Sequence, residues 1–350
     1  MPSDYTISKR FMMGNEILAT AAFDAGAKLM FAYPITPSTE ILETWVKFCG
    51  KEPTLQYQQS EDEMAAGFGT IGACLAGVPA FTATAGPGNT LAQDAFSMAE
   101  ASRIPTVAMI VQRGGLSTST VIYSQEEVML TCFGGNGEGF RIVYSPSTLQ
   151  ELYDYGLKSF EIAWRYRFPT FILTDGYLGK MKGAVEISHA PQTTHHELFQ
   201  PILKEGVNLR NCYNMEEEIG KIILDYNDDF AKMRTEVEEA ENYQTENAET
   251  IIIAHGIVAA AAKVAVKNLR TQGVAIGLFR PITLRPFPST AARKVLETAR
   301  KIITFESALG QMARLLKDEL GEVKLPLTEV NKPAVGFTPE EIEETIKSHI

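Results

Sequence analysis

Gln58-Gln59-Ser60-Glu61-Asp62-Glu63-Met64-Ala65-Ala66-Gly67-Phe68-Gly69-Thr70-Ile71-Gly72-Ala73-Cys74-Leu75-Ala76-Gly77 runs straight into the apolar stretch Val78 to Ala85 and then into Gly86-Pro87-Gly88-Asn89. Three acids open a segment of small and apolar residues, which places them at the amino end of a helix packed closely on all sides. A carboxylate there either complements the helix dipole or works chemically. Gly67-Phe68-Gly69-Thr70-Ile71-Gly72 spells the dinucleotide fingerprint G-x-G-x-x-G, but that motif needs a strand just before its first glycine, and Glu61 to Ala66 already reads as helix. The glycines are read instead as packing residues that let the helix approach its neighbours.

Outward from this stretch the chain alternates. Apolar spacing predicts a helix over Met12 to Ala25, a strand over Lys28 to Tyr33, a helix ending near Phe48 and a strand over Thr54 to Gln58. Pro79 to Ala85 reads as strand, Asn89 to Ala101 as helix, Pro105 to Gln112 as strand, Ser147 to Arg167 as helix and Pro169 to Thr174 as strand. Such a succession makes a doubly wound α/β sheet the natural fold class, with ligands bound at the turns that leave the strands' carboxyl ends. Thr36 and Arg113 occupy two of those turns. A guanidinium there can clamp a carboxylate through two parallel hydrogen bonds; a surface Arg and a helix-capping Thr are the plainer readings.

The 350 residues suit two domains, and 45% hydrophobic with 21% charged residues is ordinary for a globular protein. A net charge of -11 without clustered Lys and Arg argues against a nucleic-acid partner. Cys49, Cys74, Cys132 and Cys212 are scattered, so an iron–sulfur cluster is not expected on this chain, and reduced thiols in a reducing compartment are. The longest apolar run, Ile251 to Val266, is broken by His255, Gly256 and Lys263, and no membrane span is expected. The expected boundaries are 1–182 for a first domain, 183–248 for a connecting segment and 249–350 for a second α/β unit. In the connecting segment a helix dense in acids is expected from Met215 to Glu246. The runs Glu216 to Glu218 and Glu236 to Glu241 are read as solvated helix faces, and His195 and His196 as surface residues.

Glu63, Gly72 nine residues later, and the strand ending in Gly86-Pro87-Gly88 together resemble the pyrimidine-binding domain of thiamine diphosphate enzymes. Tyr33-Pro34-Ile35-Thr36-Pro37-Ser38, Thr174-Asp175-Gly176-Tyr177, Arg280-Pro281-Ile282-Thr283 and Leu309-Gly310-Gln311-Met312 are similar to motifs of the alpha subunit of 2-oxoacid:ferredoxin oxidoreductases. The resemblance runs from about Gly14 to Met312. It implies a second unit like the carboxyl-terminal domain of transketolase, in which His255 and Glu306 are turn or interface residues.

The resemblance further implies that Glu63 activates thiamine diphosphate, that Thr36 and Arg113 hold the substrate carboxylate, and that Gly86, Pro87, Gly88 and Gln125 lie near the cofactor. No Gly-Asp-Gly turn is present, so the diphosphate and its magnesium are expected to be held by a beta subunit. A gamma subunit for coenzyme A, a ferredoxin-like delta subunit, [4Fe-4S] clusters in partner subunits, ferredoxin as acceptor and a cytoplasmic location complete the expectation. Its rivals are half of another thiamine diphosphate enzyme and a noncatalytic scaffold that kept the fold.

Overall fold

The computed structural model describes residues 6–189, 197–205, 209–321 and 324–350; His195 and His196 lie outside them. From the amino end the chain forms β1 (Thr6–Met13), α1 (Gly14–Asp24), β2 (Leu29–Ala32), α2 (Thr39–Cys49), β3 (Gln56–Gln59), α3 (Glu63–Leu75), β4 (Ala80–Thr84), α4 (Pro87–Leu91), α5 (Gln93–Ala101) and β5 (Val107–Gln112). After a long loop come α6 (Val128–Phe133), β6 (Ile142–Tyr144), α7 (Leu149–Tyr166), β7 (Thr170–Asp175), α8 (Gly176–Lys180) and β8 (Lys182–His189). The remainder holds α9 (Glu216–Val237), β9 (Ala240–Tyr243), β10 (Thr250–Ile253), α10 (Gly256–Thr271), β11 (Ile276–Pro281), β12 (Thr283–Arg285), α11 (Ser289–Leu296), β13 (Lys301–Glu306), α12 (Gln311–Leu320), β14 (Leu327–Asn331) and α13 (Pro339–Lys347).

Every residue of β4, β5 and β7 is buried, the mark of strands covered on both faces of a parallel sheet. They form the middle of a seven-stranded sheet ordered β12-β6-β7-β5-β4-β2-β3, parallel except for β12. A second sheet, β14-β13-β10-β11-β9, is parallel except for β9. This is the expected doubly wound α/β class. Side chains alternate across each strand: Val107, Met109 and Val111 face the core under α1 and α7, whereas Ala108 and Ile110 join a second core with Ile251, Ile253 and Ile302 of the other sheet. The two sheets therefore share a hydrophobic layer.

Two expectations fail for identifiable reasons. Met12 and Met13 belong to β1, which pairs antiparallel with β8, so the first helix opens only at Gly14. The acidic helix stops at Val237 rather than Glu246, because the acids beyond it have partners. Glu239 accepts from Tyr155 Oη at 2.8 Å and pairs with Lys158, and Glu241 pairs with Lys263 and with Arg280 Nε at 3.0 Å. Those contacts draw the chain out as β9, so Glu239 and Glu241 are not solvated helix positions. Met215 to Glu218 do open α9 as an exposed acidic turn. Between the two sheets, β12 follows β11 of the second and extends the first beside β6.

Candidate active site at the carboxyl edge of the first sheet

Glu63 is the first residue of α3, behind the N-cap Asp62, whose carboxylate accepts from the Ala65 N–H at 2.7 Å. Only 5% of Glu63 is exposed. Burial pushes its carboxyl above the usual range and Asp62 adds to the rise, while its own backbone N–H and Arg113 oppose it. An acid so placed can share a proton with a ring nitrogen more readily than a solvated one can.

The turn after β4 closes against this carboxylate. Gly86 takes φ +53°, a left-handed bearing suited to glycine, and Pro87 then starts α4. A Cβ on Gly88 would stand 2.3 Å from Glu63 Oε1 and 2.2 Å from Thr84 Oγ1, so only a glycine lets the Glu63 carboxylate lie here. Arg113, at the end of β5, is 5% exposed and passes over Gly86, where a Cβ would meet its Nε at 2.7 Å. Its Nη1 donates to the carbonyl oxygen of Thr36 at 2.8 Å. The Thr36 side chain is exposed and caps no helix: Ser38 is the N-cap of α2 and its hydroxyl donates to Ile35 O.

Glu63, Thr36, Arg113, Gly86, Pro87 and Gly88 thus come together at one sheet edge. Gln125 does not join them. Its Nε2 donates to His255 O at 2.9 Å, and its Oε1 and backbone N–H exchange hydrogen bonds with the Ser307 backbone at 3.0 and 3.1 Å. With both amide atoms committed to the second unit, Gln125 is a strut between the two sheets. Asp175 caps α8 through the Tyr177 and Leu178 N–H groups, and Glu306 accepts from the Met312 and Ala313 N–H groups at the start of α12.

Sequence reasoning passed over Glu127. It is buried, and its carboxylate accepts from the backbone of Gly86 and Arg113. The pair Glu126-Glu127 inside a Ser- and Thr-rich loop was the available signal. A cavity of about 570 Å³ lies elsewhere, between α5, α9 and residues 136–140, and none of the six clustered residues lines it. Among the described residues no helix is long and apolar enough to cross a membrane.

The residues present fit a thiamine diphosphate pyrimidine. Thr84 Oγ1 and Arg113 Nε are buried without partners among the described residues, and Glu63 and Gly88 leave a carboxylate beside a side-chain-free wall. Residues 20–252 match the family described as pyruvate flavodoxin/ferredoxin oxidoreductase, thiamine diphosphate-binding, and residues 248–339 match pyruvate:ferredoxin oxidoreductase core domain II. The 2-oxoglutarate synthase subunit KorA of Methanocaldococcus jannaschii is 31% identical over 329 residues, covering 86% of this chain and 89% of that one. The ketoisovalerate oxidoreductase subunit VorB of Methanothermobacter marburgensis is 31% identical over 320 residues, covering 89% and 90%. Among solved structures, a 2-oxoglutarate:ferredoxin oxidoreductase from Magnetococcus marinus with 2-oxoglutarate, coenzyme A and succinyl-CoA bound superposes with a TM-score of 0.85 at 23% identity. That match takes in 99% of this chain but 65% of the solved one, and it shows the fold. With family models reaching from residue 20 to residue 339 and 31% identity over most of both chains, the protein belongs to the 2-oxoacid:ferredoxin oxidoreductase family, as a subunit of its alpha type.

Proposed function

We propose that this chain is the alpha subunit of a multisubunit enzyme that converts a 2-oxoacid and coenzyme A into an acyl-CoA, carbon dioxide, a proton and two electrons. The observation that carries the reading is the buried Glu63 carboxylate against Gly88, with Arg113 and the Thr36 loop joined beside it on the same sheet edge. Thiamine diphosphate, when bound, supplies the nucleophilic carbon at which a 2-oxoacid loses carbon dioxide. Glu63 holds the proton shared with the pyrimidine nitrogen, and its raised pKa favours that sharing. The Arg113 guanidinium and the Thr36 hydroxyl hold the substrate carboxylate.

Met64, Phe68, Tyr33 and Leu91 are each large, apolar and between 39% and 51% exposed. The first two lie one helical turn apart on α3, four residues from each other, so a partner covering them would exclude water from Glu63. In this reading the partner is a beta subunit that brings the diphosphate and magnesium half-site. A gamma subunit, a ferredoxin-like delta subunit, [4Fe-4S] clusters in the partners and ferredoxin as acceptor complete the electron path. All four cysteines of this chain are free thiols, which suits a reduced cytoplasm.

The test is the complex copurified through this chain, assayed with aliphatic, branched, aromatic and dicarboxylic 2-oxoacids. Reduction of a low-potential acceptor should need both the 2-oxoacid and coenzyme A, and stop when thiamine diphosphate is removed. A replete complex that reduces no acceptor with any of the four classes would sink the proposal.

A further inference from the structure

Glu127 ties three elements of the site together with one carboxylate. Oε1 accepts from the Gly86 N–H at 2.8 Å and from the Arg113 N–H at 3.1 Å, and Oε2 accepts from Asn89 Nδ2 at 2.9 Å. Gly86 follows β4, Arg113 follows β5, and Asn89 stands in α4. The backbone N–H of Glu127 donates to Gln112 Oε1 at 3.2 Å, and Gln112 Nε2 donates to Thr174 O in β7 at 3.1 Å. One side chain thus fixes the carboxyl ends of adjacent strands where the site lies.

The carboxylate cannot easily swing away. Asn89 also donates to Thr131 Oγ1 at 3.1 Å and accepts from Gln93 Nε2 at 2.9 Å. Gln93 in turn accepts from Arg141 Nη1 at 2.7 Å, and Arg141 pairs with Glu100 at 3.1 Å, all of them buried. Burial pushes the Glu127 carboxyl up, and its three donors with Arg113 hold it down. A buried carboxylate is expensive unless its lone pairs are filled, and here N–H groups of the site fill them. Among the described residues the Arg113 guanidinium has one hydrogen bond at its tip, to Thr36 O, and its Nε has none, so its bearing is set at the backbone by Glu127.

We propose that Glu127 is a positioning residue for 2-oxoacid binding: the reach of its carboxylate sets the bearing of Arg113, whose side chain lies over Gly86. The proposal rests on the reading of Arg113 as the clamp for the substrate carboxylate. Glu127 touches neither substrate nor cofactor and acts through Arg113.

Two conservative variants separate reach from charge in the assembled complex. Glu127→Asp keeps the charge but withdraws the acceptor by about 1.5 Å, one carbon–carbon bond. Glu127→Gln keeps the reach and an amide oxygen for both backbone N–H groups, and gives up only the acceptor for Asn89 Nδ2, which retains Thr131 Oγ1 and lies away from Arg113. The Asp variant should raise KM for the 2-oxoacid about tenfold or more while C2 proton exchange of bound thiamine diphosphate, which needs no substrate, stays at the wild-type rate. The Gln variant should keep KM within about threefold of wild type. In an Arg113→Ala background, Glu127→Asp should raise KM no further. A wild-type KM in Glu127→Asp, an equal loss in the Gln variant, slowed exchange with KM unaltered, or additivity with Arg113→Ala would each overturn the proposal. An unaltered KM in Arg113→Ala itself would instead remove the clamp reading, and this proposal with it.

Discussion

Arg113 Nη1 donates to Thr36 O at 2.8 Å, and in doing so it joins the loops after β5 and β2 across the intervening strand β4. The guanidinium lies over Gly86, the first residue of the turn that follows β4. The two expected carboxylate-binding residues are thereby linked by a backbone carbonyl, and in the proposed reading the Thr36 hydroxyl and the remaining Arg113 N–H groups take the substrate carboxylate.

Different losses follow for the two residues. Lys in place of Arg113 is a point charge that cannot hold Thr36 O and a carboxylate fork together. A hydrogen bond to a charged group is worth about 1.5–3 kcal/mol, so Arg113→Lys should raise KM for the 2-oxoacid roughly 10- to 100-fold. Thr36→Val removes the hydroxyl but not the carbonyl that Arg113 uses. Its KM should rise in the same direction with unfolding temperature unchanged; steady-state kinetics beside a thermal melt reads both, and a wild-type KM in both variants would remove the clamp.

A pH prediction comes from the junction of the two sheets. His255 is fully buried, with Nδ1 2.9 Å from Ser145 Oγ, and burial pulls its pKa from 6.5 down to about 4. Asp175 is buried nearby, and burial pushes its carboxyl from 3.8 up to about 6. Between pH 4 and 6.5 the unfolded chain binds a proton at His255 that the folded chain refuses, so this contribution is present above 6.5 and lost as pH falls. Over pH 3.8 to 6 the folded chain keeps a proton on Asp175 that the unfolded chain has released, so that contribution is present at low pH and lost as pH rises. Each amounts to about 3 kcal/mol, with opposite sign. Relative to wild type, His255→Gln should therefore lose stability as pH rises from 4 to 6.5, and Asp175→Asn should gain it. Denaturant unfolding across that range checks the signs; two flat difference curves would refute them.

The clustering of the candidate site was legible because its residues announce themselves locally. Glu63 opens a small-residue helix, Gly86-Pro87-Gly88 marks a tight turn, and Arg113 ends an apolar run. What escaped depends on partners distant in sequence. Gln125 reads as a site residue until Ser307 and His255, 182 and 130 positions away, occupy its amide. Glu239 and Glu241 read as helix surface until Tyr155, Lys158, Lys263 and Arg280 are brought against them. Glu127 lacked a motif because its carboxylate accepts from backbone N–H groups, and those are the same in every sequence.

The last prediction concerns which of three consecutive acids does the chemistry. Glu61 is exposed, Asp62 is the N-cap, and Glu63 alone is buried against Gly88. Asn caps a helix about as well as Asp, so Asp62→Asn should leave α3 and the site in place. Glu61→Gln removes only an exposed charge near the helix amino end, an effect of about 0.3–1 kcal/mol at most. Glu63→Gln is different, because it removes the proton-sharing group while its nearly equal volume keeps the packing against Gly88 and Thr84. In the assembled complex it should slow C2 proton exchange and 2-oxoacid oxidation together, by roughly a hundredfold or more. Hydrogen–deuterium exchange at C2 in the three variants separates the roles, since it reports activation of the cofactor before any substrate is bound. Wild-type exchange in Glu63→Gln, or an equal loss in Asp62→Asn, would move the catalytic assignment off Glu63.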